Sequence, residues 1–189
     1  NLAGVSASQV EIQSGIQFYD GISTAEIQEI LIRSASDLID LDHVNYQYVA
    51  ARLLLFSLRK QVFGRIHDHP LLIDHVKLNV DKGVYDSEIL NLYTEEEFNK
   101  LQGFIDHDRD YIFTYAGLRQ VVDKYLVQDR SSGELYESPQ FMYLLISAFI
   151  FSKYPKETRL DYVKKYYDAI SKHRINIPTP IMAGVRTPI

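Results

Sequence analysis

The sequence predicts a mainly α fold: a helical bundle-like N-terminal region, then an all-helical region, with one short β-hairpin. Capping-box spacings stand ahead of apolar runs at Ser8/Glu11, Ser23/Glu26 and Thr94/Glu97. Apolar residues then recur at intervals of three and four, the period of a buried helix face. A single stretch, two short apolar runs around a Ser-Ser-Gly tip, reads as strand and turn. At 189 residues and 46% apolar content the chain can bury a sizeable core in one domain or two small ones.

Taken in order, Ser8 and Glu11 open a short first helix with Val10, Ile12, Ile16 and Phe18 on its apolar face, ended by the turn at Asp20-Gly21. Ser23 and Glu26 open a second, in which Ile27, Ile30, Leu31, Ala35, Leu38 and Ile39 share one face. From 44 to 63 apolar residues surround the axis, with Arg52, Arg59 and Lys60 the main charged interruptions, so this helix belongs inside a bundle. Composition changes at 67–70, which places a boundary between units 1–66 and 67–189. Pro70 suits the first turn of the next helix and Lys82-Gly83 its end.

Thr94 and Glu97 cap a helix carrying Phe98, Leu101, Phe104 and Ile105. Asp108 or Asp110 is the expected cap for another with Phe113, Leu118, Val121 and Val122. Tyr125-Leu126-Val127 and Leu135-Tyr136 flank the hairpin turn. Ser138-Pro139 opens an apolar helix to Phe151, and Pro155 opens an amphipathic one through Leu160, Val163, Tyr167 and Ile170. The stretch 178–189 reads as extended. With no methionine at Asn1 and no partner strand for this stretch, both ends look like cuts.

The formal charge of -5, with basic residues scattered among acidic ones, gives no electrostatic footprint for nucleic acid or an anionic membrane. Without cysteine there is no disulfide, thiolate metal site or thiol nucleophile. The apolar run 141–151 is about half of the ~20 residues that span a bilayer, and no secretory signal opens the chain, so a cytoplasmic location is expected.

Several polar groups invite a chemical reading. His67, His69 and His75, with Asp68 and Asp74, supply metal-ligand types without metal-ligand geometry, and no metal site is expected. Asp106-His107-Asp108-Arg109-Asp110 offers a base beside carboxylates, yet neighbours in sequence point apart, which favours caps and ion pairs. Glu95-Glu96-Glu97 complements a helix dipole. Thr24, at a helix start with free amides, could bind a phosphate with Lys60 as counter-charge; from spacing alone plain capping is the favoured reading. Pro178-Thr179-Pro180 holds a hydroxyl between two prolines, suited to ligand contact or to a chain crossing.

Several segments together resemble a known family. They are Phe18-Tyr19-Asp20-Gly21-Ile22, Tyr46-Gln47-Tyr48-Val49-Ala50-Ala51-Arg52, Tyr93-Thr94-Glu95-Glu96-Glu97-Phe98, the Ile105 to Asp110 run, Lys124-Tyr125-Leu126-Val127, Tyr136-Glu137-Ser138-Pro139-Gln140-Phe141, Glu157-Thr158-Arg159-Leu160, and Pro178-Thr179-Pro180 with Ile181-Met182-Ala183-Gly184-Val185-Arg186-Thr187-Pro188. They resemble the large chain of class I ribonucleoside-diphosphate reductases, in order over nearly the whole length, with a one-residue length difference at 67–70. The resemblance implies that 1–66 is the later part of an ATP-cone domain lacking the opening β-hairpin. It implies that 67–189 is the helical domain leading into a catalytic α/β barrel.

From the same resemblance, Thr24 and Lys60 match positions that contact the effectors ATP and dATP, which reverses the capping-only reading. Thr179 matches a contact to the substrate diphosphate. No catalytic residue is expected in this segment, because the family's redox cysteines follow the position of Pro188. Two departures from the family stand at Gln28, where some relatives carry histidine, and Ile189, where threonine is usual. The implied activity is reduction of ribonucleoside diphosphates by thiyl-radical chemistry. The implied partners are a second large chain and a small (beta) chain that carries the metal-radical cofactor. The rival expectation is a stand-alone helical nucleotide-binding or protein-interaction module without catalysis.

Overall fold

The computed structural model describes residues 2–188; expectations resting on Asn1 and Ile189 lie outside the described residues. The chain is a packed set of helices with almost no sheet. The first, α1 (Ala7–Gly15), starts from Ser6 rather than Ser8, and no side chain caps it. The Ser6 amide instead donates to the buried Tyr46 hydroxyl at 3.0 Å, which fixes the chain entry from a distant residue. Its expected apolar face also fails: Val10 and Ser14 are buried, whereas Ile12 and Ile16 are 67% and 79% exposed.

The second helix, α2 (Thr24–Asp37), starts as its sequence dictates. The Ser23 hydroxyl accepts from the Glu26 amide while the Glu26 carboxylate accepts from the Ser23 amide, a closed capping box. Its buried face runs through Ile32, Ser34 and Ala35 onto α3 (Tyr46–Phe63). Buried Ala50, Ala51, Leu54, Leu55 and Leu58 make α3 the central helix, packed on α2 and on α7 (Tyr115–Lys124), and Gly64 ends it at φ +72°. Each of these leucines stabilises the fold by roughly 1.5–3 kcal/mol through burial.

Beyond α3 come α4 (Leu72–Asp81), the single turn α5 (Ile89–Leu92) and α6 (Glu95–Gln102), whose Thr94/Glu97 capping box forms as expected. The larger of two apolar clusters crosses 67–70, joining Ile32 and Leu54 to Leu72, Phe98, Phe141 and Ile170, while a smaller one gathers Val10, Ala35, Tyr46 and Ala50 within 1–66. The helix expected after Asp108 is two pieces, a 3₁₀ turn at His107–Ile112 and then α7. Their caps are Asp106, accepting from the Asp108 amide, and Thr114, accepting from the Gly117 amide. Asp110 does not cap because it turns inward to Arg59.

The helices α8 (Pro139–Phe151) and α9 (Arg159–Ser171) pack on each other, and ten of the thirteen residues of α8 are buried. Pro155 opens only a turn ahead of α9. Arg159 is drawn into the core, where it meets Glu97 at 2.6 and 2.8 Å. The hairpin is reduced to one bridge, Gln128 to Leu135. Its pairing stops because the Val127 amide donates to the Glu137 carboxylate at 2.8 Å instead of to a strand.

The C-terminal stretch is not extended. Pro178 caps α10 (Thr179–Gly184), with Pro180 in its first turn, where a missing amide hydrogen costs nothing. Among the described residues no helix is long and apolar enough to cross a membrane.

Candidate functional site

The open side of the α2–α3 pair forms a cleft of about 610 Å³. Thr24, Gln28, Glu29 and Arg33 enter it from α2, and Phe56, Ser57, Lys60 and Gln61 from α3. Sequence spacing alone could not unite Thr24 and Lys60; the helix pairing does. The Gln28 side-chain amide donates to the Leu53 carbonyl at 2.8 Å, so this residue ties one wall to the other.

Phosphate-binding capacity at this helix start is partly spent. The Ser23 and Glu26 amides serve the capping box, which leaves the first-turn amides of Thr24 and Ala25 without an intrahelical acceptor. Glu26 also accepts from the Tyr19 hydroxyl at 3.0 Å, and bonds from Ser23 and Tyr19 hold its carboxyl below the usual range. Of the two acids that line the cleft, Glu26 is therefore ionised and occupied. By contrast, Lys60 and Arg33 meet no carboxylate among the described residues, so the cleft offers two unpaired cations and a partly buried aromatic ring at Phe56. That arrangement suits a ligand with anionic oxygens at one end and a flat ring at the other.

Thr179 stands apart from this cleft. It is the exposed first residue of α10, on the far part of the chain. The imidazoles weighed above as metal ligands are engaged within the fold. His69 stacks on His107 with centroids 3.6 Å apart and planes 5° from parallel, while His75 lies 3.0 Å from the Asn79 amide. No group of three metal-ligating side chains assembles among the described residues. The Asp106 to Asp110 run divides into caps and ion pairs: Arg109 reaches Asp106 and Asp168, and Asp110 reaches Arg59 at 3.2 Å and Gln140 at 2.8 Å. Burial pushes the Asp110 carboxyl up to about 6 against the pull of Gln140 and Arg59.

Sequence reasoning missed Arg33 and Phe56 as cleft residues. The i,i+4 spacing of Glu29 and Arg33 on one face of α2 was the available signal for the first. It also missed the buried pair of Glu137 and Arg186, both 0% exposed, which lies 49 residues apart in sequence and leaves no local signature.

Residues 3–61 match the model of the ATP cone domain, and residues 111–189 match that of the ribonucleotide reductase all-alpha domain. The chain is similar to ribonucleoside-diphosphate reductase 1 subunit alpha of Escherichia coli, at 56% identity over 99% of this chain and 24% of that protein. It is 58% identical to the subunit alpha of Haemophilus influenzae, over 99% of this chain and 25% of that one. It is 43% identical to the subunit alpha of phage T4, over 98% and 24%. The chain thus spans about a quarter of the length of the curated relatives it matches.

Proposed function

Because the chain belongs to the ribonucleoside-diphosphate reductase alpha-chain family, we propose that it is that enzyme's regulatory and substrate-flanking segment. Residues 1–66 form the nucleotide-effector unit. The α2–α3 cleft takes ATP or dATP, with Thr24 and its first-turn amides and Lys60 on the phosphates. The observation that carries this is the shared cleft: two residues 36 positions apart by number, Thr24 and Lys60, line one opening with unpaired positive charge.

Residues 67–189 support the reducing centre, with Thr179 meeting the substrate diphosphate. The 189 residues contain no cysteine, so the thiols that carry the radical and the reducing electrons belong to other residues of the enzyme. The complete enzyme reduces ribonucleoside diphosphates as a dimer of large chains, served by a small chain that holds the metal-radical cofactor.

Calorimetric titration with dATP and with ATP tests the effector site. Lys60→Met removes one charge-assisted contact of about 1–3 kcal/mol and weakens Kd by about 5- to 150-fold. Equal affinity in Lys60→Met and the unaltered chain rules the cleft out as the phosphate site.

A further inference from the structure

Past Ser171 every described residue is at least partly exposed except one, and that one is an arginine. Arg186 is fully buried, and its Nε donates to Glu137 at 3.0 and 2.9 Å. Its Nη2 also donates to the same carboxylate and, at 2.9 Å, to the Tyr125 carbonyl. Its Nη1 reaches back to the Met182 carbonyl at 2.6 Å, and its own carbonyl accepts from the Asp86 amide at 3.0 Å. Glu137 is satisfied as fully, accepting from the Tyr85 hydroxyl and the Val127 amide, both at 2.8 Å.

This is an expensive way to attach a chain end. A buried ion pair offsets its desolvation only when every lone pair and proton finds a partner, and an apolar anchor of similar size holds as well. What the bidentate fork adds is orientation. No residue of α10 is fully buried, although Ile181 and Met182 pack partly buried against the core, so the ion pair adds a directional anchor to that apolar contact. Met182, whose carbonyl Arg186 holds, lies one turn beyond Thr179.

We infer that Arg186 and Glu137 are positioning residues for Thr179, clamping α10 so that the threonine is held at a fixed place for a substrate diphosphate. The inference rests on the reading of Thr179 as a substrate contact. The clamp acts through α10 and touches no substrate itself.

The test uses the full-length alpha chain carrying this segment, with its small chain and cytidine diphosphate as substrate, in the variants Arg186→Lys, Tyr85→Phe and Thr179→Ala. Arg186→Lys keeps the charge and loses the fork; KM rises about ten-fold with a smaller fall in kcat, as expected for displaced binding groups. Amides of 181–184 exchange faster in this variant while those of 141–148 keep their protection, which a general loss of stability would not produce. If Arg186→Lys fails to fold, Tyr85→Phe, which removes one hydrogen bond to Glu137 and no charge, is read the same way with a KM rise of about two- to three-fold. Two results overturn the inference. A raised KM in Thr179→Ala with unchanged KM in the clamp variants leaves the threonine reading standing and removes the clamp; an unchanged KM in Thr179→Ala removes the threonine reading and the clamp with it.

Discussion

Arg59 and Lys60 are adjacent in sequence and opposite in environment. Lys60 faces the open cleft, while Arg59, 2% exposed, pairs with Asp110 and donates to the His107 carbonyl at 2.8 Å. Asp110 passes the network on to Gln140, which accepts from the Tyr167 hydroxyl at 2.7 Å. Removing one member leaves a buried group unpaired, so Asp110→Ala costs about 3–5 kcal/mol. Chemical denaturation measures it, and a loss below about 1 kcal/mol, the size of an exposed pair, would show that the network contributes little.

At the same scale, burial lowers His69 and His75 to about 4 and His107 to about 3, from 6.5, helped for His69 and His107 by the nearby Arg59 charge. A depressed folded pKa gives stability that is present above pH 6.5 and lost as pH falls toward 4 and 3. Asp110, raised to about 6, works the other way and gains between about pH 6 and 3.8. Three imidazoles oppose one carboxyl, so thermal stability falls from pH 7.5 to pH 4.5. His107→Phe, which removes the deepest shift and keeps a flat ring on His69, flattens that slope; an unchanged slope contradicts the assignment.

At the scale of elements, α8 and α2 differ in kind. The first has ten buried residues out of thirteen; the second has three of fourteen and faces an open cleft. Opening free energy follows buried apolar contact, so amides of 141–151 exchange more slowly than those of 24–39. The reverse order would contradict this ranking of the two helices.

Legibility divides along the same line. Helix starts at Ser23 and Thr94 could be read because a capping box lies within four residues. The start of α1 could not, since it is set by Tyr46, 40 residues away. The Pro178-Thr179-Pro180 stretch looked extended because each proline disfavours helix in the residue before it. Yet Pro180 falls in the first turn, where that cost is least, and Arg186 anchors the far end.

For the whole molecule, a large apolar core and a smaller one beside α1–α3 lie behind two openings among the described residues. The cleft of α2 and α3 lies on one part of the chain, and a second groove of about 460 Å³ is lined by Phe113, Tyr143, His173 and Met182 on the other. Thr24 and Lys60 were legible as a pair through resemblance to a family, and only the helix packing gave them a common opening. Of the two that complete it, Arg33 had a signal in its i,i+4 spacing from Glu29, whereas Phe56 depends on the register of α2 against α3 and was not legible.

Hydrogen exchange of the chain with and without dATP is the decisive measurement for the α2–α3 cleft as the effector site. Binding in that cleft slows exchange at 23–33 and 56–61 and leaves 112–121 and 173–182 unchanged. Slowing confined to the second groove, or none anywhere at saturating dATP, would contradict it.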